Sequence, residues 1–344
     1  MPDIDDRMRA GDFDPDRAEP MAPLEGEAPT LVRFREVAGA SLDRFKRRAS
    51  GEERPVPVPF EGLRHLYGGG LWPGLHVYVG GTGEGKTAMA LQMALHCADP
   101  SNGGVPCVYI GLELGRDDWV ARLLGERRGL PWSELFLGRI DAVKVEAYRT
   151  ASEAMADWPL YLVEGTPKGW PYDRLEGVAK SLRTAHPEGP ALIVLDFLQL
   201  VGAPEGVRED LRERIGRAAY TCRSVASKYG CAVLVLSSVA RNSYAAVVDD
   251  GNEPKLRVGG TIEKPGELLG LGKESGDIEY SADTVLVSVR RGDIDRDKGT
   301  KYGLALSKVR AGVPGWVPVL FHRGRFLEGD TPTQATPDLS EMSF

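Results

Sequence analysis

The chain has 344 residues, 43 Lys and Arg against 50 Asp and Glu, and a formal net charge of −7. That length suits one α/β domain of roughly 250 to 280 residues with ragged ends. Residues 1–30 hold three basic and nine acidic residues, so the remainder is near neutral; this excludes a global basic field for nucleic acid, and any such contact needs a local cluster or a pore shared between subunits.

Residues 1–30 are rich in Asp, Glu and Pro and poor in large apolar side chains. They cannot bury enough surface to offset chain entropy, which predicts a disordered acidic segment. The first Met-Pro-Asp-Ile-Asp-Asp has neither a basic nor an apolar leader region, and no window approaches 18 uninterrupted apolar residues, which reads as a soluble, cytoplasmic protein without a membrane segment. Over 31–59, Leu31, Phe34, Val37 or Ala38, Leu42, Phe45 and Ala49 recur at three- and four-residue steps. That spacing predicts an amphipathic helix with Arg44, Lys46, Arg47 and Arg48 outside, docked either on another subunit or on its own domain. Pro55, Pro57 and Pro59 then make an extended connector.

From about 60 to 327, short Val-, Ile- and Leu-rich runs alternate with helical patterns. Strands are predicted at His76–Gly80, Val105–Gly111, Leu160–Val163, Leu192–Leu195, Ala232–Leu236, Thr284–Val289 and Gly303–Lys308, the first five separated by helices at Thr87–Cys97, Asp117–Arg127, Tyr172–Thr184 and Asp210–Tyr229. This is βαβ architecture around a mostly parallel sheet flanked by helices. Residues 243–272 interrupt it with Gly, Pro and charge, a loop long enough to carry function or be disordered. Residues 328–344 read as a flexible tail. Cys97, Cys107, Cys222 and Cys231 lack C-x-x-C spacing and read as reduced core thiols.

Chemistry enters at Gly80-Gly81-Thr82-Gly83-Glu84-Gly85-Lys86-Thr87, a G-x-x-x-x-G-K-[ST] loop after an apolar strand and before the helix beginning at Ala88. Its glycines let backbone N–H groups approach phosphate oxygens, and the helix N-terminus adds positive potential. Lys86 suits the β- and γ-phosphates of a nucleoside triphosphate such as ATP, and the Thr87 hydroxyl suits Mg²⁺. Hydrolysis needs more: an acid in the metal shell and a group to orient water. Asp196, ending the run Ala191–Leu195, sits where ligands gather at the carboxyl edge of an open sheet, though a strand-ending Asp also caps turns. Glu113 follows the second strand, 27 residues beyond Lys86, as a base for water or as a solvated loop acid.

These residues resemble the RecA-like ATPase domain of DnaB-type replicative DNA helicases over about 55–327. Gly70-Leu71-Trp72-Pro73-Gly74 is similar to that family's entry turn, Gly111-Leu112-Glu113-Leu114 to its Ser-Leu-Glu-Met, and Leu195-Asp196-Phe197-Leu198-Gln199-Leu200 to its Ile-Asp-Tyr-Leu-Gln-Leu. Glu274-Ser275-Gly276-Asp277-Ile278-Glu279, followed by Ala282-Asp283, resembles its DNA-loop motif, and Lys308-Val309-Arg310 its Lys-Gln-Arg fingers. The resemblance implies a RecA-like P-loop fold with C-terminal antiparallel strands, ATP and Mg²⁺ as cofactors, and a hexameric ring on single-stranded DNA with a loader or replication partner. It further implies Glu113 as catalytic glutamate, Lys273, Glu274 and Gly276 on DNA phosphates, and Lys308 with Arg310 reaching a neighbour's γ-phosphate. From spacing alone, Lys308 and Arg310 share one face of a strand, which equally fits a solvated basic edge. Arg208, Arg212, Arg214 and Arg217 alternate with acids and read as an ordinary charged face.

The resemblance weakens at three places. The family's Ser-Gln-Leu-Asn-Arg stands here as Ser237-Ser238-Val239-Ala240-Arg241, so the glutamine that senses γ-phosphate is replaced by a short hydroxyl. The loop from Ser243 to Gly272 is longer than is typical of the family. Its helical N-terminal collar has no counterpart in residues 1–60, so collar contacts such as primase recruitment do not carry over. An ATP-switched assembly protein, or a recombinase-like or clock-like RecA-fold ATPase, shares the loop and Asp196.

Overall fold

The computed structural model describes residues 32–167, 169–238, 257–258, 261–262, 278, 280–295 and 297–329. The chain divides into two units, Met1–Ser50 and Gly51–Phe344. In the first, α1 (Phe34–Ala49) forms where periodicity predicts it. Glu36 accepts from Arg33 N at 3.2 Å at its start, and Lys46, Arg47 and Arg48 stand in its last turn, both favourable against the helix dipole. None of its residues is buried, and Phe34, Val37, Leu42 and Phe45 are exposed.

The second unit is built on nine strands in one sheet, among the described residues: β1 (Gly74–Gly80), β2 (Cys107–Gly111), β3 (Leu160–Glu164), β4 (Leu192–Asp196), β5 (Ala232–Ser238), β8 (Thr284–Arg290), β9 (Thr300–Val309), β10 (Gly315–His322) and β11 (Arg325–Glu328), with β6 (Arg257–Val258) and β7 (Thr261–Ile262) forming a separate antiparallel pair. The order is β11-β10-β9-β8-β1-β5-β4-β2-β3. Strands β8, β1, β5, β4, β2 and β3 pair parallel, and β8 through β11 pair antiparallel. That is the predicted mixed sheet with its C-terminal antiparallel strands.

Strand alternation sends one side chain set to each face. Leu75, Val77, Val79, Ile193, Leu195, Val233 and Val235 pack with α7 (Arg174–Ala185) and α8 (Leu211–Tyr229) in one core. Tyr78, Tyr109, Leu192, Val194 and Leu234 pack in the other against α2 (Glu61–Leu66), α3 (Lys86–Ala98) and α4 (Arg116–Arg128). Helices α5 (Trp132–Phe136) and α6 (Ala142–Ala154) complete the set. All four cysteines are free and buried.

Four departures from the sequence reading have local causes. The stretch Pro55–Pro59 runs extended, but Val56 and Val58 are buried and Val56 exchanges two 2.9 Å backbone hydrogen bonds with Leu71, so it belongs to the core. Strand β3 is an edge strand, with Tyr161 and Leu162 exposed, and not a buried one. Helix α7 begins at Arg174, two residues late, because Tyr172 and Asp173 lie in the preceding turn. Strands β10 and β11 escape the sequence pattern: Pro318 interrupts the apolar run, yet it sits directly beyond the last residue paired to β11, where a missing N–H costs no ladder bond on that side. The acidic segment, the 243–272 loop apart from its four paired residues, and 330–344 lie outside the described residues.

Candidate active site

Strand β1 ends in the glycine-rich loop and α3 starts inside it, at Lys86. Gly85 takes φ +76°, and a Cβ there would stand 2.9 Å from the Phe326 ring, so this position requires glycine twice over. Lys86 Nζ donates to the carbonyls of Gly80 (3.0 Å) and Gly81 (2.8 Å), which centres the ammonium in the loop. Burial lowers the Lys86 pKa, and the carboxylates of Asp196, Glu84 and Glu113 oppose that shift.

Glu84 behaves differently from its neighbours. It is buried and its carboxylate accepts from Gly81 N at 3.1 Å, so its side chain folds back into the loop and only its backbone is available to a ligand. Thr82, Gly83, Gly85, Lys86, Thr87 and Ala88 line a cleft of about 470 Å³, facing Glu113 and Asp196. Gly80 and Gly81 are outside that lining, and their carbonyls hold Lys86.

Asp196 ends β4 and is buried; Tyr109 OH donates to its Oδ2 at 2.5 Å. Burial raises its pKa, while hydrogen bonds from the Tyr109 and Thr87 hydroxyls pull it down, the Glu113 charge adds to the rise and Lys86 opposes it. Tyr109 is set edge-on against Trp119, ring centroids 5.9 Å apart. Trp119 in turn lies so close to Gly111 that an added Cβ would meet the indole at 2.1 Å. The glycine two residues before Glu113 therefore lets Trp119 of α4 lie against the end of β2, beside the turn in which Glu113 stands.

Among the described residues no cluster of three His, Cys, Asp or Glu could hold a metal by itself. A divalent ion beside Thr87 and Asp196 would thus take most of its oxygens from phosphate and water, which is how Mg²⁺ binds with nucleotides. The donor set fits a triphosphate with its cation: one ammonium, helix N-terminal amides, a hydroxyl, a buried carboxylate and a second carboxylate across the cleft.

Sequence reasoning missed two groups here. Arg122, on α4, lies over the Trp132 ring at 3.8 Å on the cleft wall and burial lowers its pKa. Nothing in the spacing sets it apart from the other charges of α4. Gln199 stands out in the sequence only as part of a motif; its Nε2 donates to Ser237 Oγ at 2.9 Å and its Oε1 accepts from Ser238 N at 3.4 Å, fixing the end of β5 where Ser238 reaches the cleft.

Lys308 and Arg310 are not in this cleft. Lys308 lies near the end of β9 and Arg310 directly after it, beside Asp283 and the start of β1. The glycine-rich loop is at the other end of β1. From Leu75 to Gly80 the strand advances about 17 Å at roughly 3.3 Å per residue, so neither cation serves the phosphate loop of its own chain. Lys273, Glu274 and Gly276 lie outside the described residues.

The family described as DnaB-like helicase C terminal domain matches residues 56–326. The chain belongs to this family. Among curated relatives, the replicative DNA helicase DnaB of Leifsonia xyli subsp. xyli is 25% identical over 300 residues, 86% of this chain and 60% of its own length. That of Geobacillus stearothermophilus is 23% identical over 274 residues, 79% of this chain and 55% of its own length. The chain therefore spans little more than half of these DnaB relatives. Two solved structures share the fold. One is of an ATPase domain, with a TM-score of 0.71 at 17% identity, covering 86% of this chain and 99% of that one. The other is of a DnaB-like replicative helicase described with its interactions with primase, with a TM-score of 0.70 at 17% identity, covering 89% and 69%. No helix among the described residues of this DnaB-family chain is long and apolar enough to cross a membrane.

Proposed function

We propose that the chain is a ring-forming, Mg²⁺-dependent ATPase that moves along single-stranded DNA and separates duplex, each active site lying between two copies. The observation that carries this reading is the placement of the glycine-rich loop and the Lys308–Arg310 pair at opposite ends of β1. A subunit built this way holds half a site at each end.

In the proposed site the amides from Thr82 to Ala88 and Lys86 hold the phosphates, and Thr87 with Asp196 holds the cation. Bound there, Mg²⁺ would neutralise charge on the phosphate oxygens. Glu113 orients a water for attack on the γ-phosphorus and accepts its proton as the bond to ADP breaks. Lys308 and Arg310 of the next copy stabilise the charge on the departing phosphate oxygens. Family membership and the names of the DnaB relatives support DNA as the track, with Lys273, Glu274 and Gly276 as its contacts, a cytoplasmic setting, and a loader or other replication protein as partner.

The test is steady-state ATPase with and without single-stranded DNA, alongside strand displacement from a forked duplex at low salt. Stimulation by DNA and displacement are expected; ATPase indifferent to DNA together with no displacement would sink the helicase reading. Ser238 favours a second reading, since a hydroxyl at the cleft lacks the reach of the family's amide. In that case the protein assembles on a partner or on DNA when ATP binds, and assembly persists when Glu113→Gln stops hydrolysis.

A further inference from the structure

Both paired cations rest on one short stretch of chain, Tyr280–Asp283, that leads into β8. Lys308 Nζ donates to Tyr280 O at 3.3 Å. Arg310 makes two contacts with Asp283: its backbone N donates to Asp283 O at 3.2 Å, and its Nε lies 2.8 Å from Asp283 Oδ1.

Asp283 is itself fixed. Its Oδ2 accepts from Leu75 N at 2.9 Å. It stands against Gly74, where an added Cβ would come within 2.5 Å of Oδ2. Arg223 from α8 closes the far side, donating to Ser281 O and lying 3.5 Å from Asp283 Oδ1. The Asp283 side chain is 20% exposed and that of Arg310 is 55% exposed. One end of the pair is anchored and the other faces solvent.

A guanidinium has five N–H donors in a rigid planar fork. Holding the Nε edge against the carboxylate leaves the terminal NH₂ group on the far side of the fork pointing away from it. We propose that Asp283 is the positioning residue for Arg310, clamping the Nε edge of the guanidinium so that its outer terminal NH₂ group faces the phosphates held by a second copy of this chain. This rests on the shared-site reading above. In this arrangement Asp283 acts through Arg310, from a position just before β8 that is hydrogen-bonded to the amino end of β1, the strand whose other end carries the phosphate loop.

The experiment compares Asp283→Asn, Arg310→Ala and the double variant in the full chain, by ATPase kinetics, binding of a fluorescent ATP analogue, thermal melting and assembly size. Asparagine keeps a carbonyl for Leu75 N and removes the charge that clamps Arg310. Displacing a reacting group by an ångström costs up to about 100-fold, so kcat of Asp283→Asn is expected to fall between about 10- and 100-fold. KM, analogue affinity and assembly size stay within about twofold. The double variant is no slower than Arg310→Ala, because the clamp has nothing left to position.

Asp283→Asn with unchanged kcat overturns the positioning role, and so does a double variant whose losses multiply. If Arg310→Ala itself keeps full kcat, the shared-site reading falls and this inference with it; loss with Arg310→Ala but not with Asp283→Asn removes only the inference. Should Asp283→Asn melt below assay temperature, Asp283→Glu takes its place, retaining charge but displacing it by one methylene, with the same kcat loss at constant KM expected.

Discussion

Two broken subunits should make a working ring. Lys86→Ala removes the ammonium that Gly80 O and Gly81 O hold in the loop, and Arg310→Ala removes the guanidinium beside Asp283. Loss of a trans-acting arginine costs about 10³-fold or more in turnover, and loss of the loop lysine is at least as severe, so each variant alone is near background. Because the two positions are separated by most of β1, about 17 Å, they damage different interfaces of the same ring. Co-assembled at equal amounts, an interface is intact when an Arg310→Ala copy supplies the loop and a Lys86→Ala copy supplies the finger. Random placement in a closed ring of any size makes this about a quarter of all interfaces. ATPase of the mixture should therefore return to about a quarter of the native rate, far above either parent. Subunits are mixed by refolding together, and ATP hydrolysis is followed against the mixing ratio, with a maximum at equal amounts. A mixture no faster than the two parents measured apart would refute hydrolysis at shared interfaces, as would full activity of Arg310→Ala alone.

Gln92→Met tests how the loop helix is held: Gln92 Nε2 donates to Phe326 O at 2.8 Å and Oε1 accepts from Phe326 N at 3.0 Å, so the change leaves two buried backbone groups unpaired and should cost about 2–6 kcal/mol by urea unfolding. A loss under about 1 kcal/mol would mean that β11 finds other partners. Tyr109→Phe removes a hydrogen bond to Asp196, whose pKa burial already raises; since the ionised carboxylate is the active form and the hydroxyl favours it, the acid limb of the kcat/KM profile should move to higher pH with the alkaline side unchanged. The same sign holds for stability: the native state keeps the Asp196 proton where the unfolded chain has released it, so stability falls as pH rises through that window, and Tyr109→Phe deepens the fall. Ser238→Gln restores an amide at the cleft and should increase the stimulation of ATPase by single-stranded DNA, by about fivefold or more if the two sites couple as ordinary allosteric pairs do; unchanged stimulation would show that the glutamine's absence is immaterial here.

How much of this is legible from sequence depends on how local each feature is. The loop, β1, β4 and β5 are contiguous runs, and Asp196 follows from one of them, so composition and order reveal them. Arg122 over Trp132 is not legible, because a helical arginine ten residues from a tryptophan meets it only after α4 and α5 fold back on one another. Gln92 reads as a polar position on an apolar helix. Its partner is 234 residues away on β11, a four-residue strand that follows the one Pro318 interrupts. The paired cations are visible as a spacing, but not the carboxylate beside Arg310: Asp283 and Arg310 are joined only by the β8–β9 hairpin. Polar partners chosen by tertiary packing leave no period in the sequence.

The sheet order gives the proposed shared site its physical basis. Strand β1 lies between β5 and β8, paired in parallel to both, so the loop end and the Asp283 end are connected through a strand held on both sides. At its carboxyl end Gly80 opens the phosphate loop; at its amino end Leu75 N holds Asp283, which holds Arg310. Strand β9 runs antiparallel to β8, so it delivers Lys308 and Arg310 to the amino end, away from the loop. A parallel β9 would have pointed them the other way, toward their own loop. In the proposed shared site, the antiparallel turn at the C-terminal side of the sheet is what leaves a single chain with half of each site, and hydrolysis would then depend on assembly.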